Sequence, residues 1–138
     1  MIYQREFAVQ TAGHRDMKGI DGEVDRLVTD SGIATGTAHV FVVGSTAAVG
    51  AIELEPGMAG DLPELFDRLV PPSRSYGHEK AWHDGNGHSH LQATWLGQSI
   101  TVPVSEGKLS LGQWQQLFLL ECDVKPRRRT LIVTIMGE

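Results

Sequence analysis

The sequence predicts an α+β domain built on a largely antiparallel β-sandwich with two to three helices. Three observations carry this. Short β-branched or alternating apolar stretches, such as Gly36–Val43 and Arg128–Met136, outnumber segments of helical spacing. Strands and helices do not alternate regularly, as they would in a parallel α/β fold. Glycine is abundant, 16 of 138 residues, which suits many tight turns. The length fits a single domain over 1–138, and 41% hydrophobic residues suffice to fill its core.

The elements follow in order. Tyr3, Arg5, Phe7 and Val9 alternate with Gln4, Glu6, Ala8 and Gln10, giving a strand with one better-buried face. Ile20, Val24, Leu27 and Val28 recur at helical spacing, with Asp21 as a cap and Gly32 as a stop. Gly36–Val43 reads as a central strand and Thr46–Leu54 as its hairpin partner. A second helix is expected from Asp61, with Glu64 as in a capping box and Pro63 in its first turn. Leu62, Leu65, Phe66 and Leu69 form its apolar face, and Pro71-Pro72 ends it. Ser73–Gly87 has no period and reads as a long loop, a kind of segment that often carries function. Leu91 and Trp95 share a face of a short helix stopped at Gly97. Ser99–Val104 is a strand, and Ser105–Lys108 turns into Leu109-Ser110-Leu111. Gln115–Cys122 and Arg128–Met136 read as two long antiparallel strands, turning near Lys125-Pro126-Arg127.

Composition narrows the function. Twelve Lys and Arg against 17 Asp and Glu give a net charge of −5, so no nucleic-acid partner is expected. No apolar run is long enough to span a bilayer, and Met1–Glu6 lacks a signal pattern. The single cysteine, Cys122, suits a reducing cytoplasm and packs as a small hydrophobe among apolar neighbours. A cytoplasmic protein without a membrane partner is the expectation.

The chemistry concentrates in one stretch. Four of the six histidines, His78, His83, His88 and His90, lie there with Asp84 and Asn86, and Gly85 and Gly87 allow the backbone to bend. Neutral imidazole is the commonest metal ligand, and two or three His with a carboxylate leave a position for water or substrate. The alternative is a solvated loop that happens to be rich in histidine. His88 and His90 point the same way only in an extended segment; on a helix they diverge. His39, mid-strand, reads as a histidine with a satisfied hydrogen bond, and His14 as exposed. Gly44-Ser45-Thr46 is a turn whose hydroxyls and amides suit an anion, or an ordinary hairpin turn. Glu53 is a general base or metal ligand if buried, or faces solvent on an alternating strand. Arg127-Arg128-Arg129 is the one basic cluster, able to fork onto phosphate or to sit solvated at a turn.

Taken in order, these residues resemble the YjbQ-like family, also called the secondary thiamine-phosphate synthase enzymes. The resemblance rests on Tyr76-Gly77-His78, Asp84–His90, Leu96-Gly97, Val102-Pro103-Val104, Gly107-Lys108-Leu109, Leu111–Gln115, Glu121 and Arg127–Arg129, and it covers nearly the whole chain. It implies a compact α+β sandwich that assembles as a homotrimer, with histidine-bearing metal clefts between subunits. It also implies a thiamine-phosphate synthase-like reaction. That reaction joins a pyrimidine-methyl pyrophosphate to a thiazole phosphate and expels pyrophosphate. The chain departs from the family at Gly44, where many members carry a histidine; either the chain lacks the family's activity or His88 or His39 replaces that group.

The combined expectation is a metal-assisted enzyme on a phosphorylated small molecule. His78, His90 and His88 would hold a divalent zinc or magnesium ion. Glu53, Asp84 and His88 would be catalytic, with Glu53 as proton shuttle. Arg127, Arg129, Ser45 and Thr46 would bind phosphate, and Asn86, Trp114 and Gln115 would complete the pocket. The rivals are a non-enzymatic trimer that binds a metal or ligand, and a metal-dependent phosphate or ester hydrolase.

Overall fold

Twelve elements form along the chain in the computed structural model, which describes residues 1–138. They are β1 (Ile2–Gln10), β2 (Met17–Gly19), α1 (Asp21–Ser31), β3 (Gly36–Val43), β4 (Ala47–Ile52), α2 (Pro56–Leu69), α3 (Gly77–Trp82), α4 (Gly87–Leu96), β5 (Ser99–Ser105), β6 (Lys108–Leu109), β7 (Gln116–Glu121) and β8 (Arg128–Gly137). Five strands pair in the order β1-β8-β3-β5-β6 and three in the order β2-β7-β4, and every pairing is antiparallel. The expected α+β class holds, with four helices instead of two to three. No helix is long and apolar enough to cross a membrane.

The two sheets face each other across the main core. Ala38, Val40 and Val42 of β3 and Leu131, Val133 and Ile135 of β8 pack toward Ala47 and Val49 of β4 and Leu117 and Leu119 of β7. Val24, Leu27 and Val28 of α1 join the same core. Each Val, Leu or Ile among them contributes roughly 1.5–3 kcal/mol on burial. The outer face of the three-stranded sheet is covered as well. Ala48, Phe118, Leu120 and Cys122 pack against Phe66 of α2 and Ala93 of α4. Buried on both faces, β7 carries the unbroken run Leu117-Phe118-Leu119-Leu120. The outer face of the five-stranded sheet has no such cover, and β8 alternates accordingly.

Four expectations need correction. Thr46–Leu54 is not the hairpin partner of Gly36–Val43: β3 is flanked by β8 and β5, and β4 pairs with β7 in the other sheet. The doubly buried run Ala47-Ala48-Val49 suits a strand with layers on both sides. β7 and β8 are likewise consecutive but belong to different sheets. The second helix begins at Pro56, not Asp61, because the Glu55 side chain caps it by accepting from Gly57 N (2.8 Å) and Met58 N (2.6 Å). Pro63 therefore lies inside the helix. The predicted loop Ser73–Gly87 contains α3, a six-residue helix stopped by His83 in the left-handed conformation (φ 59°).

Candidate functional site

The chain crosses between the sheets at residues 44–46 and again at 122–127. The two crossings meet, with Cys122 N–H donating to Thr46 O at 3.0 Å. Beside them lies Glu121, which has no solvent exposure. Its carboxylate accepts from Arg129 Nε (2.8 Å), Arg129 Nη2, Thr11 Oγ1 (2.7 Å) and Asp123 N (3.1 Å). Removing one partner of so well satisfied a buried ion pair costs about 3–5 kcal/mol. Arg129 Nη2 also donates to Thr46 Oγ1 (2.8 Å), and that hydroxyl donates onward to Asp123 Oδ2 (3.0 Å).

Asp123 is the second buried acid. It accepts from Val124 N (2.7 Å), from Arg127 Nε (3.1 Å) and Nη2 (2.8 Å), and from Asn86 Nδ2 (3.4 Å). Burial pushes its carboxyl up, but the Val124 amide, the Thr46 hydroxyl and Arg127 together outweigh this and hold it below the usual carboxylate value. Arg127 is thus anchored to Asp123, and Thr46 spends its hydroxyl on the network. One donor group is left over. Arg129 Nη1 has no hydrogen-bond partner in the chain and lies against Gly44, where an added Cβ would stand 2.7 Å away. Arg129 is only 6% exposed, yet it borders an open cleft of about 420 Å³.

The far wall of that cleft comes from α3 and α4. His78 Nε2 lies 3.0 Å from Asp84 Oδ1 but outside hydrogen-bond geometry. The His78 and His90 rings are 4.6 Å apart, tilted by 54°. Trp82, exposed, stands at the rim, and Ser45, Thr46 and Asn86 also border the cleft. The fold therefore brings Ser45, Thr46, His78, Asp84, Asn86, His90, Arg127 and Arg129 around one space.

It does not bring the remainder. Two residues from His90 on a helix is about 200° of rotation, so His88 faces inward. It is buried, edge-on to His14 at 5.0 Å. Burial and then the neighbouring His14 hold its pKa below that of an ordinary histidine. His14 is correspondingly not exposed as expected; its ring nitrogens face Cys122 O (3.1 Å) and Asp67 Oδ1 (2.9 Å). His39 is on the outer sheet face, bonded to Thr101 Oγ1 at 2.9 Å. Neither His39 nor His88 thus stands in for a histidine at position 44. Glu53, Trp114 and Gln115 border a separate cleft of about 510 Å³. β4 and β7 run from one cleft to the other, six residues each, or roughly 20 Å. Glu53 is exposed there. Cys122 packs as expected, and burial pushes its thiol up to about 12.

Three functional candidates escaped the sequence reading: Glu121, Asp123 and Glu79. Signals existed for the first. Glu121 ends a continuous apolar run, where a charge needs a partner, and Arg129 shares the inward register of Leu131 and Val133. Glu79 gave none, since nothing in its surroundings marks it as buried. It is 4% exposed; its Oε1 accepts from Gly87 N at 2.6 Å, and its Oε2 is buried without a partner. One donor atom each from His78, Glu79 and Asp84 lies within 4.8 Å of the others. A nitrogen and two carboxylate oxygens so placed fit a divalent transition ion.

A pH-dependent outcome follows for Asp123. Its folded pKa is lowered, so its stabilisation is fully present above the unfolded value of about 3.9 and is lost as pH falls through the folded value. Asp123→Asn should cost about 1–3 kcal/mol at pH 7 and flatten the acid limb of stability. Urea unfolding of both proteins from pH 7 to pH 3 measures this; parallel curves would contradict it.

Comparison with known proteins agrees with this architecture. The family model described as "UPF0047 protein YjbQ-like" matches residues 5–138. A UPF0047 protein of Methanothermobacter thermautotrophicus is 36% identical over 99% of this chain and 94% of its own length. The UPF0047 protein YugU of Bacillus subtilis is 31% identical over 94% of this chain and 96% of its own. Among solved structures, a YbjQ-like protein of unknown function from Sulfolobus solfataricus P2 superposes with a TM-score of 0.94 at 39% identity, covering 100% of this chain and 99% of that one. A hypothetical protein of Aeropyrum pernix K1 gives 0.90 at 34% identity, covering 99% of each. The chain belongs to the YjbQ-like UPF0047 protein family.

Proposed function

We propose that this protein is a metal-assisted enzyme that acts on a phosphorylated small molecule in the cleft between Arg129 and His78. The observation that carries the reading is the unpaired Nη1 of Arg129, held by a buried carboxylate and open toward an imidazole–carboxylate wall. Arginine forks match phosphate oxygens, and a guanidinium already oriented does not reorganise when charge develops. Arg129, flanked by Arg127 and Ser45, takes the phosphate. His78, His90 and Asp84 hold the cation, zinc or magnesium; His88, facing away, has no part in that set. Such an ion neutralises charge on a phosphate oxygen.

The specific reaction we propose is the thiamine-phosphate synthase-like condensation. Arg129 and Arg127 would stabilise the departing pyrophosphate, and the exposed face of Trp82 offers a stacking surface for the pyrimidine. A second reading is favoured by one observation: Trp82 is 72% exposed, so the cleft of a single chain is wet. Water would then be the acceptor, and the protein a phosphate or ester hydrolase.

A homotrimer in the cytoplasm completes the proposal. Ile2, Phe41, Val43 and Met136 expose 42–71% of their surface on the uncovered face of the five-stranded sheet, where strand pairing sets Ile2 beside Met136. Self-association there would cover them. It also offers Glu53, Trp114 and Gln115 a place, if their cleft meets the His78 cleft of a neighbouring copy. Light scattering at micromolar concentration should give three chain masses; a monomer mass rejects this.

Turnover tests the enzyme reading. Wild type and His90→Ala are assayed with the pyrimidine pyrophosphate and thiazole phosphate together, and with a panel of single phosphate esters. Product only from the pair supports condensation; product from a single ester supports hydrolysis. His90→Ala, by withdrawing a cation ligand, should lower the rate at least about tenfold. Stoichiometric ligand binding with no turnover from any substrate would make this a non-enzymatic binding protein.

A further inference from the structure

We infer that Glu79 is the inner ligand of the cation site, closing a mixed nitrogen–oxygen set with His78 and Asp84 that selects zinc over magnesium. This rests on the cation part of the proposed function and adds a residue and a metal class to it.

His78 and Glu79 are neighbours on α3, so their side chains diverge by about 100°. His78 borders the cleft, and Glu79 turns inward beneath it, 4% exposed. One oxygen is accounted for: Oε1 accepts the Gly87 N–H at 2.6 Å, the first amide of α4. The other, Oε2, is enclosed and has no partner. No Lys or Arg pairs with it. Arg127 and Arg129, the cations of the same cleft, are committed to Asp123 and Glu121. The space around Oε2 is specific, because a Cβ at Gly87 would lie 2.7 Å from it. Asn86 Oδ1, on the residue before Gly87, is also buried and unpartnered.

A carboxylate oxygen buried without a partner asks for a cation. The donor positions agree. His78, Glu79 and Asp84 each place one donor within 4.8 Å of the others. His78 Nε2 and Asp84 Oδ1, 3.0 Å apart without hydrogen-bond geometry, have the spacing of two ligands around one ion at roughly 2 Å from each. His90 flanks the set at 4.6 Å from the His78 ring, on the open side. Imidazole donors suit zinc and its neighbours, whereas magnesium prefers oxygen and keeps its water.

The test uses metal-free wild type, Glu79→Gln and His78→Ala, each titrated with zinc and with magnesium by calorimetry and followed by thermal melting. Glu79→Gln keeps an oxygen for the Gly87 N–H and replaces the orphan with an amide that cannot ligate. Wild type should take up about one zinc per chain and melt higher with it. Glu79→Gln should bind zinc at least about a hundredfold more weakly and lose the zinc-induced rise, while melting no lower than wild type without metal. Should that variant fail to fold, Glu79→Asp carries the same test, since it keeps the charge and withdraws the oxygen by one methylene. Equal zinc affinity in wild type and Glu79→Gln, with His78→Ala impaired, removes Glu79 and leaves the wider cation reading standing. A wild type that binds neither ion overturns both. Magnesium bound more tightly than zinc overturns the metal class.

Discussion

The ion pair between Arg129 and Glu121 is the constraint on which the cleft depends. It joins the end of β7 in one sheet to the start of β8 in the other, across the point where the chain changes layers. Both partners are almost fully buried, and they persist because all but one of their side-chain polar atoms are matched. Thr11 and the Asp123 amide complete the acceptors of Glu121, and Thr46 takes the spare hydrogen of Arg129 Nη2. What is left is a single cationic edge, Nη1, fixed in direction and bare toward Gly44. Rigidity here is a by-product of burial, and it is what an anion site requires.

The same layering explains why the site lies at this end of the sandwich. Turns 44–46 and 122–127 both carry the chain from sheet to sheet, and their backbone groups pair with each other. Polar side chains gather because crossing segments have no strand ladder to satisfy them. Opposite them, α3 and α4 place His78 and His90 side by side, and Glu79 ties the two helices together through Gly87 N. The outer cover of the three-stranded sheet and the histidine wall of the cleft are thus built by one helical insertion.

Much of the fold was legible. The helix of Ile20 to Gly32 and the strands around Val40, Val102 and Val133 follow directly from spacing and β-branching. Pairing was not. Sequence neighbours such as β3 and β4 read as a hairpin, and only the double burial of Ala47–Val49 distinguishes a strand that leaves its sheet. In the site, most of the polar residues were legible as a set: Ser45, His78, Asp84, Asn86, His90, Arg127 and Arg129 all border the cleft. His88 was not separable from His90, because helical phase decides its direction and the helix was legible only from Leu91 and Trp95, not from its start at Gly87. Glu53, Trp114 and Gln115 group with the rest in the sequence, and a strand's length divides them from it in the fold. Glu79 was invisible, since burial of one carboxylate beside exposed Lys80 leaves no periodic mark.

In the proposed site, Arg129 presents its free edge to a phosphate because residue 44 has no side chain. Calorimetric titration with inorganic pyrophosphate, at low salt, of wild type and Gly44→Ala tests this most directly. A methyl at position 44 crowds Nη1, while Nε and Nη2 remain clamped to Glu121. The account predicts saturable binding to wild type and at least about tenfold weaker binding to the variant, the loss of one charge-assisted contact. Equal binding by both proteins, or none by wild type, would contradict it.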